Sequence, residues 1–314
     1  MQRKKNIRLI IVLIVLVAVT IVTYFIQSND TNTSIDKTLF VYQNTNEVDR
    51  VTIESQGAQV DLSFGNNQWT VNERYKADPQ RISVLFAILK QVSVRRKVAK
   101  SQEEQITERF ASQGVTVSLF EQGQQVKQFM VLGEEDKGLS YMTNSEADEK
   151  YLVEIPGYKS YLAGLFELDA NGWRNPLVFD INWANLVSVQ AEYIGKEANG
   201  FTIGFDNRDY GIAGMQTDSL KLTDYLDDVS LLYVNDYLAD AEVETYNELA
   251  SQPKAKITIK DVGRNNYSLT IFDKVQNGDY LVLIDSLDYA LMQEGLINRV
   301  TKPKQYFRVN QRPQ

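Results

Sequence analysis

Val60-Asp61-Leu62-Ser63-Phe64-Gly65-Asn66-Asn67-Gln68-Trp69-Thr70-Val71 decides the fold. Apolar and polar residues alternate on both sides of Gly65-Asn66-Asn67. Two strands therefore each turn one face inward, and a tight hairpin joins them. Asp78-Pro79 then opens a helix, with Asp as the cap for free backbone N–H groups and Pro at the first helical position. Ile82, Leu85, Phe86, Leu89 and Val92 follow at helical spacing.

This stretch has a second version further along. Leu62, Phe64, Trp69 and Val71 correspond to Ile203, Phe205, Tyr210 and Ile212 at a constant spacing of 141 residues. Asp78, Leu85, Phe86, Leu89 and Val92 correspond to Asp218, Tyr225, Leu226, Val229 and Leu232 at a spacing of 140. Val117, Leu119, Phe129 and Val131 fall on Ile257, Ile259, Leu269 and Ile271 in the same frame. Tyr151-Leu152-Val153-Glu154-Ile155 matches Tyr280-Leu281-Val282-Leu283-Ile284 at a spacing of 129, which implies that the second copy has lost a hairpin. One frame shared by strand, turn, cap and helix predicts an internal duplication. The seam falls near Asp169–Trp183, where Asn171-Gly172 and Asn175-Pro176 break the pattern.

The N-terminus is of another kind. Arg3, Lys4, Lys5 and Arg8 precede an apolar run from Leu9 to Ile26. As a helix, at about 1.5 Å per residue, the run spans roughly 27 Å, close to the hydrocarbon thickness of a bilayer. No small-x-small cleavage site follows, so an uncleaved anchor is expected, with Leu9, Leu13, Leu16 and Phe25 among its lipid-facing residues. The basic tip places the N-terminus in the cytoplasm, the anchor in the inner (cytoplasmic) membrane and the bulk of the chain on the periplasmic or extracytoplasmic side. The expected fold class is α+β: an N-terminal transmembrane helix followed by two repeated, mainly antiparallel α+β units. The expected boundaries are 1–26 for the basic tip and anchor, 27–38 for a polar tether, 39–170 for the first unit and 171–314 for the second.

Composition narrows the chemistry. The chain of 314 residues has no cysteine and no histidine. Disulfides, thiol nucleophiles, Ser-His-Asp catalysis and histidine-ligated metals are thereby excluded. With 33 basic and 41 acidic residues the net charge is −8, which argues against nucleic acid as a partner. No cofactor or metal is expected. Ser34-Ile35-Asp36-Lys37 has a Ser-x-x-Lys spacing but lies in the tether, where a nucleophile has no support. Glu134-Glu135-Asp136 and Asp206-Asn207-Arg208-Asp209 read as solvated acidic turns. Trp69 and Tyr210 occupy matching strand positions and read as core. Trp173, Arg174 and Trp183 flank the seam: they pack between the units or, if exposed, form a partner surface.

The order of several short motifs carries a resemblance. Trp69-Thr70-Val71-Asn72 is followed by a tyrosine and a helix opened by Ala77-Asp78. Val131-Leu132-Gly133, Gly138-Leu139-Ser140-Tyr141 and Tyr151-Leu152-Val153 then follow. Behind a single N-terminal anchor, this resembles domain-of-unknown-function family 4340, a group of bacterial membrane-anchored proteins, over roughly residues 1–200. The resemblance implies an auxiliary component of an ABC-type transport system, including those linked to gliding motility, with an envelope protein such as a transporter subunit as partner. It implies no catalytic residue. The expectation is a non-enzymatic accessory or scaffold protein; the alternative is a module that binds or processes an envelope glycan through carboxylates and exposed aromatics.

Overall fold

The computed structural model describes Val17 and residues 35–309, apart from positions 146, 180, 183, 207 and 208. The first half forms β1 (Arg50–Ser55), β2 (Ala58–Gly65), β3 (Gln68–Val71) and β4 (Tyr75–Lys76), then helix α1 (Pro79–Gln91) and β5 (Ser93–Lys97). Helix α2 (Lys100–Gln113) follows, then β6 (Val115–Glu121), β7 (Gln124–Glu134), β8 (Leu139–Thr143) and β9 (Tyr151–Glu154), and the short turns α3 (Ala163–Phe166) and α4 (Ala170–Trp173). The second half forms β10 (Leu186–Tyr193), β11 (Phe201–Asp206), β12 (Asp209–Ile212), α5 (Ser219–Ser230) and β13 (Asp236–Tyr237). The turns α6 (Asp240–Val243) and α7 (Asn247–Ala250) lead into β14 (Ala255–Asp261), β15 (Asn266–Lys274), β16 (Tyr280–Ile284), β17 (Asp288–Met292) and α8 (Glu294–Val300).

The strands make two large antiparallel sheets, one in the order β4-β3-β2-β1-β6-β7-β8-β9-β5 and the other in the order β12-β11-β10-β14-β15-β16-β17-β13. This corrects the expected α+β class. The chain is mostly β, because the residues read as helix-bearing connections yield only a few helices laid on sheets that carry most of the core. The expected transmembrane helix, with Leu9, Leu13, Leu16 and Phe25, lies outside the described residues. Among the described residues no helix is long and apolar enough to cross a membrane.

Apart from the extra edge strand β4, the two orders are the same once β1 is set on β10 and β5 on β13. The registers repeat as well. Leu62 faces Val71 and Phe64 faces Trp69 in one sheet, while Ile203 faces Ile212 and Phe205 faces Tyr210 in the other. Val51, Leu62 and Leu119 lie across three strands, as do Val189, Ile203 and Ile259, and all six are fully buried. A helix covers this face in both units. Asp78 caps α1 by accepting from Gln80 N–H, and Asp218 caps α5 by accepting from Leu220 and Lys221 N–H. The hairpin turn at Asn66-Asn67 puts both residues at positive φ, +51° and +63°, which asparagine tolerates better than most residues.

The frame also corrects one alignment. Val131 faces Met142 in the first sheet and Ile271 faces Val282 in the second, so β16 corresponds to β8, not to β9. The hairpin is retained as β16–β17. Its connection shortens from residues 144–150 to Asp285-Ser286-Leu287, which shifts the apparent match of the two Tyr-Leu-Val segments.

The units differ on the opposite face. In the first, α2 lays Ile106 and Phe110 over Leu132, Tyr141 and Leu152 to form a second small core. In the second, the corresponding stretch is broken into α6, a 3-10 turn over Glu244–Tyr246, and α7. That break leaves room for a cleft beside the seam.

Candidate functional site: the joint between the sheets

The end of each unit is built the same way. Asp78 N–H donates to the Trp173 carbonyl at 2.9 Å, and Asp218 N–H donates to the Phe307 carbonyl at 2.8 Å. Ala77 bridges to Arg174, and Thr217 bridges to Arg308. Trp173 and Phe307 are both fully buried under their helix. Trp173-Arg174 therefore closes the first unit as Phe307-Arg308 closes the second.

From Arg174 the chain enters the second unit at once. Asn175 N–H still donates to Lys76 in the first sheet region, while Val234 N–H donates to the Pro176 carbonyl and Val178 N–H to Leu232 in the second. Arg174 sits at the centre of this joint with only 7% exposure. Its guanidinium carbon lies 3.6 Å from the ring centroid of Tyr75 on one unit and 3.6 Å from that of Tyr237 on the other. Its Nη2 reaches Asp288 Oδ2 at 2.9 Å. A planar cation held between two aromatic rings and paired with a carboxylate suits a site largely removed from water. The Tyr237 hydroxyl donates to the Asn175 carbonyl at 2.9 Å, and the Asn171 side chain donates to the Tyr237 carbonyl at 3.2 Å. Burial pushes the Tyr237 hydroxyl pKa up, and the charge of Arg174 opposes that shift.

Trp173 is fully buried and Arg174 nearly so, which corrects the expectation that these two residues form an exposed partner surface and leaves the packing alternative. The reason is local: α4 tucks the indole under α1, and the next residue is claimed by Tyr75, Tyr237 and Asp288. Trp183 lies outside the described residues. The Trp173 indole N–H has no hydrogen-bond acceptor among the described residues.

Beside the joint runs a cleft of about 420 Å³, lined by Arg74, Tyr75 and Arg174 from the first unit and by Leu238, Val243, Leu287, Asp288 and Tyr289 from the second. Leu287 is 72% exposed. It follows Asp285 and Ser286, both at positive φ, +49° and +58°, in the tight β16–β17 turn. Neither is glycine, so the turn carries some backbone strain. The Asp285 carboxyl accepts from Ser268 N–H at 2.7 Å; burial is the main cause of its raised pKa, which Asp288 reinforces and the Ser268 bond opposes. Asp236 is raised likewise by burial and by the charges of Asp169 and Glu242.

The remaining sequence candidates lie elsewhere. Glu134 is held by Lys137 at 2.7 Å and by Arg109 at 3.7 Å, and the Lys137 bond leads the causes that lower its pKa. Asn207 and Arg208 of the second acidic turn, and Ser34 of the Ser-x-x-Lys segment, lie outside the described residues. Trp69 is half-buried between Phe64 and Phe86, and the Tyr210 hydroxyl donates to the Leu186 carbonyl. Among the described residues no group of three or more acidic side chains is placed to hold a metal ion. Sequence reading missed Tyr75, Tyr237, Asp288 and the cleft. The one available signal was the matching of Trp173-Arg174 with Phe307-Arg308, visible only once the units are set in frame.

No curated protein matches the chain. The model of one protein family, described as a domain of unknown function (DUF4340), matches residues 69–253. The match runs from the hairpin of the first unit through Arg174 and stops just before β14 of the second, so it spans parts of both repeats and takes in Tyr75, Arg174 and Tyr237 of the joint but not Asp288. It covers more than half of the chain, and the protein belongs to the DUF4340 family.

Proposed function

We propose that this protein is a non-enzymatic accessory component of the bacterial envelope, a docking scaffold that serves an ABC-type transport or gliding-motility system. The observation that carries the reading is the joint. Arg174, Tyr75, Tyr237 and Asp288 lock two sheets of the same topology into one body, and the ordered surface this creates is what an accessory subunit needs. The basic tip and the apolar sequence from Leu9 to Ile26 support an address at the inner membrane with the two sheets outside the cytoplasm. A chain without histidine or cysteine also has few of the groups on which enzymes of neutral pH depend.

The test is recovery of the full-length chain from its native host in mild detergent, after brief cross-linking. Co-purification of the same transporter or motility subunits in repeated preparations supports the proposal. A chain that always runs alone, or that fractionates with the cytosol, overturns it.

A further inference from the structure

We propose that the cleft beside Arg174 is a peptide-binding site, and that its occupant is an extended segment of a partner protein carrying a carboxylate next to an aliphatic side chain. The identity of the occupant as a peptide rests on the accessory reading; the chemistry of the site rests on its own residues.

The first argument is charge. Two arginines stack on Tyr75, Arg174 at 3.6 Å and Arg74 at 4.8 Å from the ring centroid. Arg174 is neutralised by Asp288. Arg74 is exposed and has no ion-pair partner among the described residues; its guanidinium lies over the Tyr75 ring. A guanidinium held in place by stacking, at the mouth of a cleft and without a carboxylate, is pre-organised to accept one from outside. The overall acidity of the chain makes a free cation at this spot more telling, since acidic groups are plentiful.

The second argument is the lining that the second unit contributes. Leu238, Val243, Leu287 and Tyr289, all from the second unit, line the same cleft as Arg74. Leu287 is held out by the strained Asp285-Ser286 turn, whereas the corresponding hairpin of the first unit uses a longer connection and presents no such residue there. An exposed aliphatic side chain on a strained turn and an unpaired arginine, both lining one cleft, suit one apolar and one acidic side chain. The volume, about 420 Å³, lies within the usual range for ligand clefts.

The test uses the purified full-length chain and two fluorescein-labelled pentapeptides, one with Asp between two Leu and one with Asn in its place, read by fluorescence polarisation. The Asp peptide is expected to bind about tenfold more tightly than the Asn peptide, the scale of one charge-assisted contact. Arg74→Gln should abolish that preference and leave the Asn peptide unchanged. Leu287→Ser should weaken both. Each side chain is exposed, so thermal unfolding should stay unchanged and separate a binding defect from a folding one. Equal binding of the two peptides overturns the proposal, as does absence of binding at millimolar concentration. Tighter, Arg74-dependent binding of decanoate than of the Asp peptide would also overturn it, by assigning the cleft to an amphiphile. No partner is needed in this assay. A partner that co-purifies while the peptides fail would sink the cleft and leave the accessory reading standing.

Discussion

Arg174 and Arg308 hold the same place in two copies of one fold and have opposite fates. Each follows a fully buried aromatic residue and each bridges to the residue just before the cap of a helix. Arg174 is enclosed by Tyr75, Tyr237 and Asp288; Arg308 is exposed. The backbone template therefore fixes where the arginine stands, and the neighbouring unit decides what it does. A closing device becomes a joint when a second sheet supplies a ring and a carboxylate.

The largest test of this equivalence lies just before the arginines. Trp173→Ala and Phe307→Ala should each cost about 3–5 kcal/mol in urea denaturation, because both rings fill the space beneath a helix. Trp173→Phe copies the second unit and removes the unpaired indole N–H, so its cost should stay near 1 kcal/mol. A cost for Phe307→Ala below about 1 kcal/mol would break the comparison. Next comes the contrast itself. Arg174→Ala should cost about 2–3 kcal/mol by stripping Asp288 of its partner in a partly exposed site, against less than about 0.5 kcal/mol for Arg308→Ala. Equal losses would mean that Arg174 acts within its own unit alone.

Smaller effects sharpen the match. Asp78→Ala and Asp218→Ala should each lower stability by about 1 kcal/mol, since each carboxylate caps the first turn of its helix. The smallest effect belongs to the turn found only in the second unit. The fold raises the Asp285 pKa, so it favours the protonated acid. Stability from this group is therefore greatest in acid, below the unfolded value of about 3.9, and is lost as pH rises through the folded value. Asp285→Asn keeps the acceptor for Ser268 N–H and suits the left-handed turn. Because solvent screens this exposed carboxyl, the gain in stability should be at most about 0.5 kcal/mol at pH 7 and should shrink towards pH 4. Thermal unfolding across that range checks both sign and size.

The parts of the fold that were readable in advance are those written locally. Alternation around Asn66-Asn67 and the helix after Asp78-Pro79 depend on neighbours in sequence, and the frame of 140–141 residues carried them to Ile203, Tyr210 and Asp218. Class and joint were not readable in this way. The edge strand β5 buries only Val94 and so shows no alternation, and β13 and β4 are only two residues long, so the sheets looked smaller than they are. Tyr151-Leu152-Val153 and Tyr280-Leu281-Val282 are alike because both are strands, and only the cross-strand register separates their places. Tyr75, Tyr237 and Asp288 meet Arg174 from three distant points of the chain, and no single stretch of sequence announces that meeting.

The passage from Asn175 to Pro176 has one more consequence. Asn175 is still bonded to Lys76, and Pro176 already accepts from Val234, so no slack residue separates the sheets. A load on one sheet is therefore passed to the other through backbone bonds and the Arg174 stack. The two sheets are thereby coupled without a hinge of their own, where a looser connector would have made them two beads on a string.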